Sequence, residues 1–137
     1  MIDAFKKLLD HASSILITTH KSPDGDAIGS AVAFSKFVSA YGKNNHVLLP
    51  DAPASNLMSF LDGVSYSFFD DFDLQDSGYD LMICLDYNHP HRVGDKMKSF
   101  VLELNAPKIM IDHHPNPTEF CDLTISCLLY TSDAADD

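Results

Sequence analysis

Residues 109–114 read Ile-Met-Ile-Asp-His-His, an apolar run that ends directly on side chains able to bind a metal ion. A second apolar run, residues 15–17, comes shortly before the loop His-Lys-Ser-Pro-Asp-Gly-Asp at residues 20–26. Short apolar runs are typical of buried parallel strands, whose C-terminal ends meet at one rim of the sheet. The sequence therefore predicts an α/β protein with a metal site on that rim.

The rest of the chain alternates between helix-like and strand-like segments. The pattern predicts helices over residues 2–12, 27–41, about 56–61 and 94–104, and strands over 15–19, 46–49, 65–69, 81–85 and 108–111. This alternation indicates a doubly wound, Rossmann-like parallel sheet flanked by helices, with a right-handed crossover placing the second strand beside the first. The residues predicted to face inward from the 27–41 helix are Ile28, Val32, Phe34, Phe37 and Val38.

Composition narrows the class of protein further. The chain has 137 residues and a formal net charge of -11, and no apolar stretch approaches the ~18 residues that cross a bilayer. The negative charge argues against a general grip on nucleic-acid backbones, but it is compatible with a small phosphorylated substrate, because bound metals would reverse the local sign. The three cysteines lack zinc-type spacing, which indicates reduced thiols in a cytoplasmic protein. The lack of a long apolar stretch indicates that the protein has no membrane partner.

The last eleven residues differ in character from the rest. Residues 127–137 read Cys-Leu-Leu-Tyr-Thr-Ser-Asp-Ala-Ala-Asp-Asp, which resembles the in-frame translation of a sequencing-library adapter. The alternative is a short apolar turn followed by a natural acidic tail. We interpret residues 1–126 as the N-terminal part of a catalytic domain and 127–137 as a non-native tail, which we expect to lie outside the core.

The loop after the first predicted strand carries three candidate ligands. His20, Asp24 and Asp26 are brought close in sequence by Pro23, which restricts the residue before it, and by Gly25, which permits a sharp turn. One of the two acids could instead simply cap the helix that follows. A cap accounts for one carboxylate but not for a second one and a histidine, so we favour a metal site.

Two further strand ends supply the remaining candidates. Asp86 follows residues 81–85 and could bridge two metal ions, although a lone acid there is often only a turn residue. If His113 and His114 extend the strand, their side chains point in opposite directions, so that one could bind metal while the other reaches a substrate phosphate or packs. Asp112 could hold one imidazole through its second nitrogen, as an outer-shell partner. Solvated histidines in a polar loop are the alternative.

Taken together, three motifs resemble a known family. They are His20-x-x-Pro-Asp24-Gly-Asp26-Ala-Ile-Gly-Ser30, then Leu85-Asp86 followed by Arg92-Val-Gly94, and then Asp112-His113-His114-Pro115. They resemble the first three motifs of the DHH phosphoesterases, over about residues 10–126. The run from Asp112 to Asp122 is most similar to the branch that is both an oligoribonuclease and a 3′-phosphoadenosine 5′-phosphate phosphatase.

This resemblance implies a role for each residue. It implies two bound Mn²⁺ ions, with Mg²⁺ and Co²⁺ as alternatives. The implied ligands are His20 and Asp24 for the first ion, Asp26 and His113 for the second, and Asp86 as the bridge between them. The implied catalytic residues are Asp86, His113 and His114. His114 would meet the scissile phosphate, and Arg92 would be a further phosphate contact or else a surface residue.

The resemblance also implies the reaction, in which metal-activated water would hydrolyse short RNA oligonucleotides and remove the 3′-phosphate of 3′-phosphoadenosine 5′-phosphate. No stable protein partner is indicated. The family's fourth motif and its smaller nucleotide-clamping domain are not found in this sequence, so we expect the isolated fragment to be inactive. The alternatives are a family II inorganic pyrophosphatase, a single-strand exonuclease, a cyclic-dinucleotide phosphodiesterase, or a non-catalytic metal- or nucleotide-binding module.

Overall fold

A six-stranded parallel sheet organises the part of the chain that the computed structural model describes, residues 2–75 and 78–126. Its strands are β1 (Ser14–Thr18), β2 (Asn44–Leu49), β3 (Tyr66–Phe68), β4 (Leu81–Leu85), β5 (Lys108–Asp112) and β6 (Leu123–Ser126). Its helices are α1 (Ile2–His11), α2 (Gly25–Ala40) and α3 (Asp95–Glu103), with 3₁₀ helices at Ser55–Leu61, Phe69–Asp71 and Pro90–Val93. The predicted α/β fold is confirmed.

The strand order locates the crevice of the fold. The order across the sheet is β3-β2-β1-β4-β5-β6, and every neighbouring pair is parallel. The chain therefore winds outward in one direction from β1 and in the other direction from β4. Where the winding direction reverses, the loops after the two central strands separate and leave a crevice at their carboxyl ends. The loops that begin at residues 19 and 86 flank this crevice.

Both faces of the sheet are covered, which explains why β4 is apolar throughout and β1 is apolar over residues 15–17. One face packs against α1 and α2 through residues such as Ile15, Ile17 and Ile28. The other face packs against α3 through residues such as Leu16 and Met97. Burying a Leu or Ile side chain fully contributes about 1.5–3 kcal/mol. The central strands are therefore a rigid support for the loops that follow them.

The predicted elements agree with the structure except in three places. The prediction that Phe37 faces inward is wrong, since this residue is 47% exposed. The buried face of α2 is formed by Ile28 and Val38 together with Ala27, Ala31 and Ser35, and these last three are small enough to let the helix approach the sheet closely. The short helix near residues 56–61 is a 3₁₀ helix, and β6 was not predicted at all.

Strand β6 forms because Asp122 extends the pairing of β5. The Asp122 carboxylate accepts a hydrogen bond from the Lys108 amide at 2.8 Å, and the Asp122 amide donates to the Lys108 carbonyl at 2.8 Å. The four residues of β6 remain partly exposed at the edge of the sheet. Such a short, half-exposed strand has a weak hydrophobic pattern, which is why sequence reasoning missed it.

The predicted tail over residues 127–137 lies outside the described residues, so its separation from the domain stays a prediction. None of the helices in residues 2–75 and 78–126 has both the length and the apolar character that a bilayer crossing requires.

One carboxylate joins the start of β1 to the start of β4, and its replacement is expected to destabilise the fold. Asp80 accepts hydrogen bonds from the Ser13 amide at 3.0 Å and from the Ser14 amide at 2.9 Å. Partial burial raises the pKa of Asp80, but these hydrogen bonds lower it more, so that the net pKa lies below its ordinary value. We expect Asp80→Asn to lower the free energy of unfolding by about 1 kcal/mol at pH 7, because the site is solvent-screened.

The pH dependence of stability tests the same contact. A carboxyl whose pKa is depressed in the folded state stabilises the fold above its unfolded pKa and loses that stabilisation as the pH falls through the folded value. Urea unfolding of wild type and Asp80→Asn should therefore converge as the pH is lowered below about 4. Asp62→Asn, at an exposed carboxylate with no hydrogen bond from its side chain to another described residue, is the matched control. An equal effect of both substitutions would contradict the assignment.

Candidate metal centre

His20 lies two residues after β1, and one nitrogen of its ring is already hydrogen-bonded to the backbone. Its Nδ1 donates to the carbonyl oxygen of Lys21 at 2.7 Å, and its ring is 91% buried. This bond orients the ring so that Nε2 points into the crevice, where it lies 3.2 Å from Oδ2 of Asp86. A backbone carbonyl on the far nitrogen is the usual support of a histidine that binds metal through its other nitrogen.

Asp24 has two roles at the start of α2. Its Oδ1 accepts a hydrogen bond from the Ala27 amide at 3.0 Å, so it is the N-cap of the helix. The same oxygen lies 3.6 Å from Nε2 of His20, and the side chain is 64% exposed. Capping and metal binding are both compatible with this geometry, because a carboxylate oxygen has two lone pairs.

Asp86 is the centre of the site. It follows β4 in the left-handed region, with φ +66°, a conformation that Asp tolerates better than most residues. Its Oδ2 faces His20, and its Oδ1 lies 3.2 Å from Nε2 of His113. Burial raises the pKa of Asp86, but the hydrogen bond with His20 and the charges of the surrounding histidines lower it more. One nearly buried carboxylate thus connects the loops after β1 and β5.

The two histidines after β5 point in different directions. His113 turns toward Asp86, whereas Nδ1 of His114 donates to Oδ1 of Asp112 at 2.6 Å. The His114 amide also donates to Oδ2 of Asp112 at 2.9 Å, so this buried carboxylate fixes both ends of the residue. The rings are 4.4 Å apart between centroids and inclined at 76°. His114 therefore keeps its Nε2 free of Asp112.

These side chains have the donor atoms and spacing that a divalent ion needs. In the described residues, ligand atoms within 4.8 Å of one another form two clusters: His20, Asp24 and Asp86, and then Asp86, Asp112, His113 and His114. Adjacent ligands of an ion bound at about 2.1 Å in octahedral geometry lie about 3 Å apart. The distances from Nε2 of His20, 3.6 Å to Asp24 and 3.2 Å to Asp86, are close to that value. Nitrogen and oxygen donors in one cluster suit Mn²⁺ and ions like it.

The remaining predicted site residues, Asp26 and Arg92, lie outside the two ligand clusters. Asp26, in the first turn of α2, is exposed and belongs to neither cluster, but it lines a cavity of about 520 Å³ together with Asp86 and His113. Arg92 is an exposed residue of the Pro90–Val93 turn, and its backbone carbonyl accepts a hydrogen bond from the Lys21 amide at 2.6 Å. The backbone of Arg92 therefore supports the His20 loop, while its role toward phosphate stays a prediction.

Sequence reasoning missed Asn88, which connects two of the loops. Its buried side-chain amide donates to the carbonyl oxygens of His114 at 3.2 Å and Pro115 at 3.0 Å. The backbone carbonyl of Asn88 accepts a hydrogen bond from the Thr118 amide at 2.9 Å. Asn88 therefore holds the loop after β5 against the loop that carries Asp86. The residue type alone gives no signal of this, because Asn is common in solvated turns.

A parallel sheet with histidines and aspartates gathered at its switch point defines an α/β protein with a crevice whose side chains could hold a metal ion. Residues 14–135 match the model of the DHH family, N-terminal domain. The match covers most of the sequence, and the chain therefore belongs to the DHH family, as its motifs predicted.

One solved structure supports this assignment. The crystal structure of an exopolyphosphatase-related protein from Bacteroides fragilis matches with a TM-score of 0.84 and 36% sequence identity. The match covers 91% of this chain and 38% of that one, so the chain spans well under half of its relative's length. No curated protein matches the sequence.

Proposed function

We propose that this chain forms the metal-binding part of a metal-dependent phosphoesterase. The observation that carries the proposal is the position of the Asp86 carboxylate, with one oxygen 3.2 Å from His20 and the other 3.2 Å from His113. A carboxylate that faces two separate groups of ligands is suited to bridge two ions. Membership of the DHH family supports a hydrolase of phosphate esters.

Each side chain of the site has a defined task in this proposal. Bound Mn²⁺ ions would supply an activated water and neutralise charge on the phosphate oxygens. His20 and Asp24 would hold one ion, Asp26 and His113 the other, and Asp86 both. His114, whose Nδ1 is held by Asp112, would direct its Nε2 at a phosphate oxygen, where charge develops.

The proposed substrates are short oligoribonucleotides and 3′-phosphoadenosine 5′-phosphate. The sequence from Asp112 to Asp122 supports this branch of the family by resemblance. The cavity beside Asp86 supports it independently, because apolar side chains such as Phe34 and Phe37 line it next to the ligands. Its volume of about 520 Å³ lies in the usual range for small-molecule sites, and aromatic walls suit a nucleobase.

Binding of Mn²⁺ by the chain tests the metal centre directly. At a concentration 100 times its dissociation constant, an ion that binds only the folded state adds about 2.7 kcal/mol of stability. For a domain of this size we expect the melting temperature to rise by about 8–10 °C. Calorimetric melting with and without millimolar Mn²⁺ measures the change, and Asp62→Asn should retain it. An unchanged melting temperature in wild type would contradict the metal centre.

The choice of substrate is tested with the protein expressed from its complete gene. Labelled RNA dinucleotides, 3′-phosphoadenosine 5′-phosphate and inorganic polyphosphate are compared at equal Mn²⁺ concentration, with chelated samples as blanks. Polyphosphate is included because the B. fragilis protein is described as exopolyphosphatase-related. We expect the two nucleotide substrates to be hydrolysed faster, because polyphosphate has no base to occupy the aromatic cavity. Faster hydrolysis of polyphosphate would overturn the substrate assignment but keep the metal centre.

A further inference from the structure

Two cysteines far apart in sequence are in contact on the face of the sheet opposite α2. The Sγ atoms of Cys84, in β4, and Cys121, just before β6, lie 4.0 Å apart. Cys84 is completely buried, whereas Cys121 is partly exposed, and both are free thiols. Two sulfurs at this distance are in van der Waals contact, so they need to approach by only about 2 Å to reach disulfide bonding distance.

The neighbours of the two cysteines keep the sulfurs together. Phe120 stacks on the buried ring of Tyr87, with centroids 6.2 Å apart and planes inclined at 24°. The Tyr87 hydroxyl is in turn 2.7 Å from Oγ1 of Thr18 in β1. Cys84 is itself part of the central strand β4, and Cys121 directly follows Phe120, which stacks on Tyr87. Their contact follows from the packing of this face and does not depend on a mobile side chain alone.

We propose that Cys84 and Cys121 are a site of oxidative modification. Hydroperoxides would oxidise the two thiols to a reversible disulfide between Cys84 and Cys121. The partly exposed Cys121 gives a small oxidant access, and the contact with Cys84 places the second sulfur beside it. This inference is independent of the proposed hydrolytic function.

The chemistry balances with hydrogen peroxide as the oxidant. The sulfur of one cysteine attacks a peroxide oxygen, the O–O bond breaks, and a water molecule leaves to give a sulfenic acid. The second sulfur then attacks the sulfenic sulfur, and the S–O bond breaks. The departing hydroxide takes the proton of the second thiol and leaves as a second water. In total, two thiols are oxidised by two electrons and one peroxide is reduced to two waters.

The bond would connect two segments that carry the metal centre. Cys84 lies two positions before Asp86, and Cys121 follows the loop that begins with His113. A disulfide between them restricts the unfolded chain and secures the loop after β5 against β4. We expect oxidation to raise the melting temperature by on the order of 10 °C, and a thiol reductant to reverse the change.

Peptide mapping of the oxidised full chain tests the pairing. After treatment with hydrogen peroxide in the presence of a chelator, free thiols are alkylated and the chain is cut before aspartates. This releases Cys84, Cys121 and Cys127 on separate peptides, residues 80–85, 112–121 and 122–132. We expect a cross-linked pair of peptides 80–85 and 112–121, lighter by two hydrogens than their sum, with Cys127 not in the cross-link.

Variants separate the disulfide from other outcomes. Cys127→Ser should form the same cross-link as wild type, whereas Cys121→Ser, at a partly exposed position, should lose both the cross-link and the melting shift. Recovery of Cys84 and Cys121 as alkylated thiols after oxidation would overturn the proposal. Pairing of either with Cys127, a dimer linked through Cys121, or a sulfinic acid at Cys121 with Cys84 still reduced would also overturn it.

Discussion

Asp86→Asn is expected to abolish metal binding while leaving the chain folded. The amide keeps the size of the side chain, and Asn tolerates the φ of +66° found at this position. The substitution nevertheless removes the negative charge between His20 and His113 on which both groups of ligands converge. Loss of an outer-shell partner alone lowers metal affinity about 10–100-fold, so we expect the loss of this central ligand to exceed about 100-fold.

Calorimetric titration of Mn²⁺ into the chain measures this affinity, and far-ultraviolet circular dichroism checks that the variant is folded. In the protein from the complete gene, we expect hydrolysis to fall by a factor on the order of 10³ or more, since both ions depend on Asp86. Asp62→Asn, which removes an acid elsewhere, should bind Mn²⁺ like wild type. Retention of wild-type affinity by Asp86→Asn would eliminate the bridging role.

His114→Ala is expected to slow hydrolysis strongly with little change in metal affinity. Its Nδ1 is engaged by Asp112, and its remaining nitrogen is assigned to phosphate in our proposal. Losing one donor that stabilises developing charge costs a factor on the order of 10²–10³ in rate. The loss should appear mainly in kcat, and it should be smaller than the loss for Asp86→Asn.

Asp112→Asn tests whether the orientation of His114 matters. An amide can accept the bond from Nδ1 but lacks the negative charge of the carboxylate, so it holds the imidazole less firmly and we expect an intermediate loss of about 10–100-fold. Steady-state kinetics of both variants at saturating Mn²⁺ provide the comparison. If His114→Ala weakens Mn²⁺ binding as much as Asp86→Asn does, His114 is a ligand and its assignment to phosphate is wrong.

Part of the site could be predicted because it is encoded in short stretches of sequence. The apolar runs of β1, β4 and β5 identified buried parallel strands, and each is followed within a few residues by a His or Asp that lies at the rim. The helical periodicity gave the extents of α1, α2 and α3 to within about two residues. It failed for Phe37, because periodicity favours large apolar residues, whereas the small Ala31 and Ser35 share the buried face of α2 with Ile28 and Val38.

Contacts between distant residues could not be predicted in the same way. Asn88 and Cys121 are ordinary loop residues in sequence, and their partners lie 26 to 37 positions away. Strand β6 likewise depends on Asp122 pairing with the backbone of Lys108. A polar side chain is buried only when its hydrogen bonds are satisfied, and the partners that satisfy them are set by packing.

The sequence by itself therefore determined the elements of this protein and the identity of its candidate ligands. Local preferences and hydrophobic periodicity act over a few residues, and they specify which segments become strands and which polar side chains follow them. Only the tertiary structure decided that β1 lies beside β4, and thus that His20 and Asp86, 66 positions apart, share a hydrogen bond. The order of strands depends on how both faces of the sheet are buried at once, a property of the whole chain.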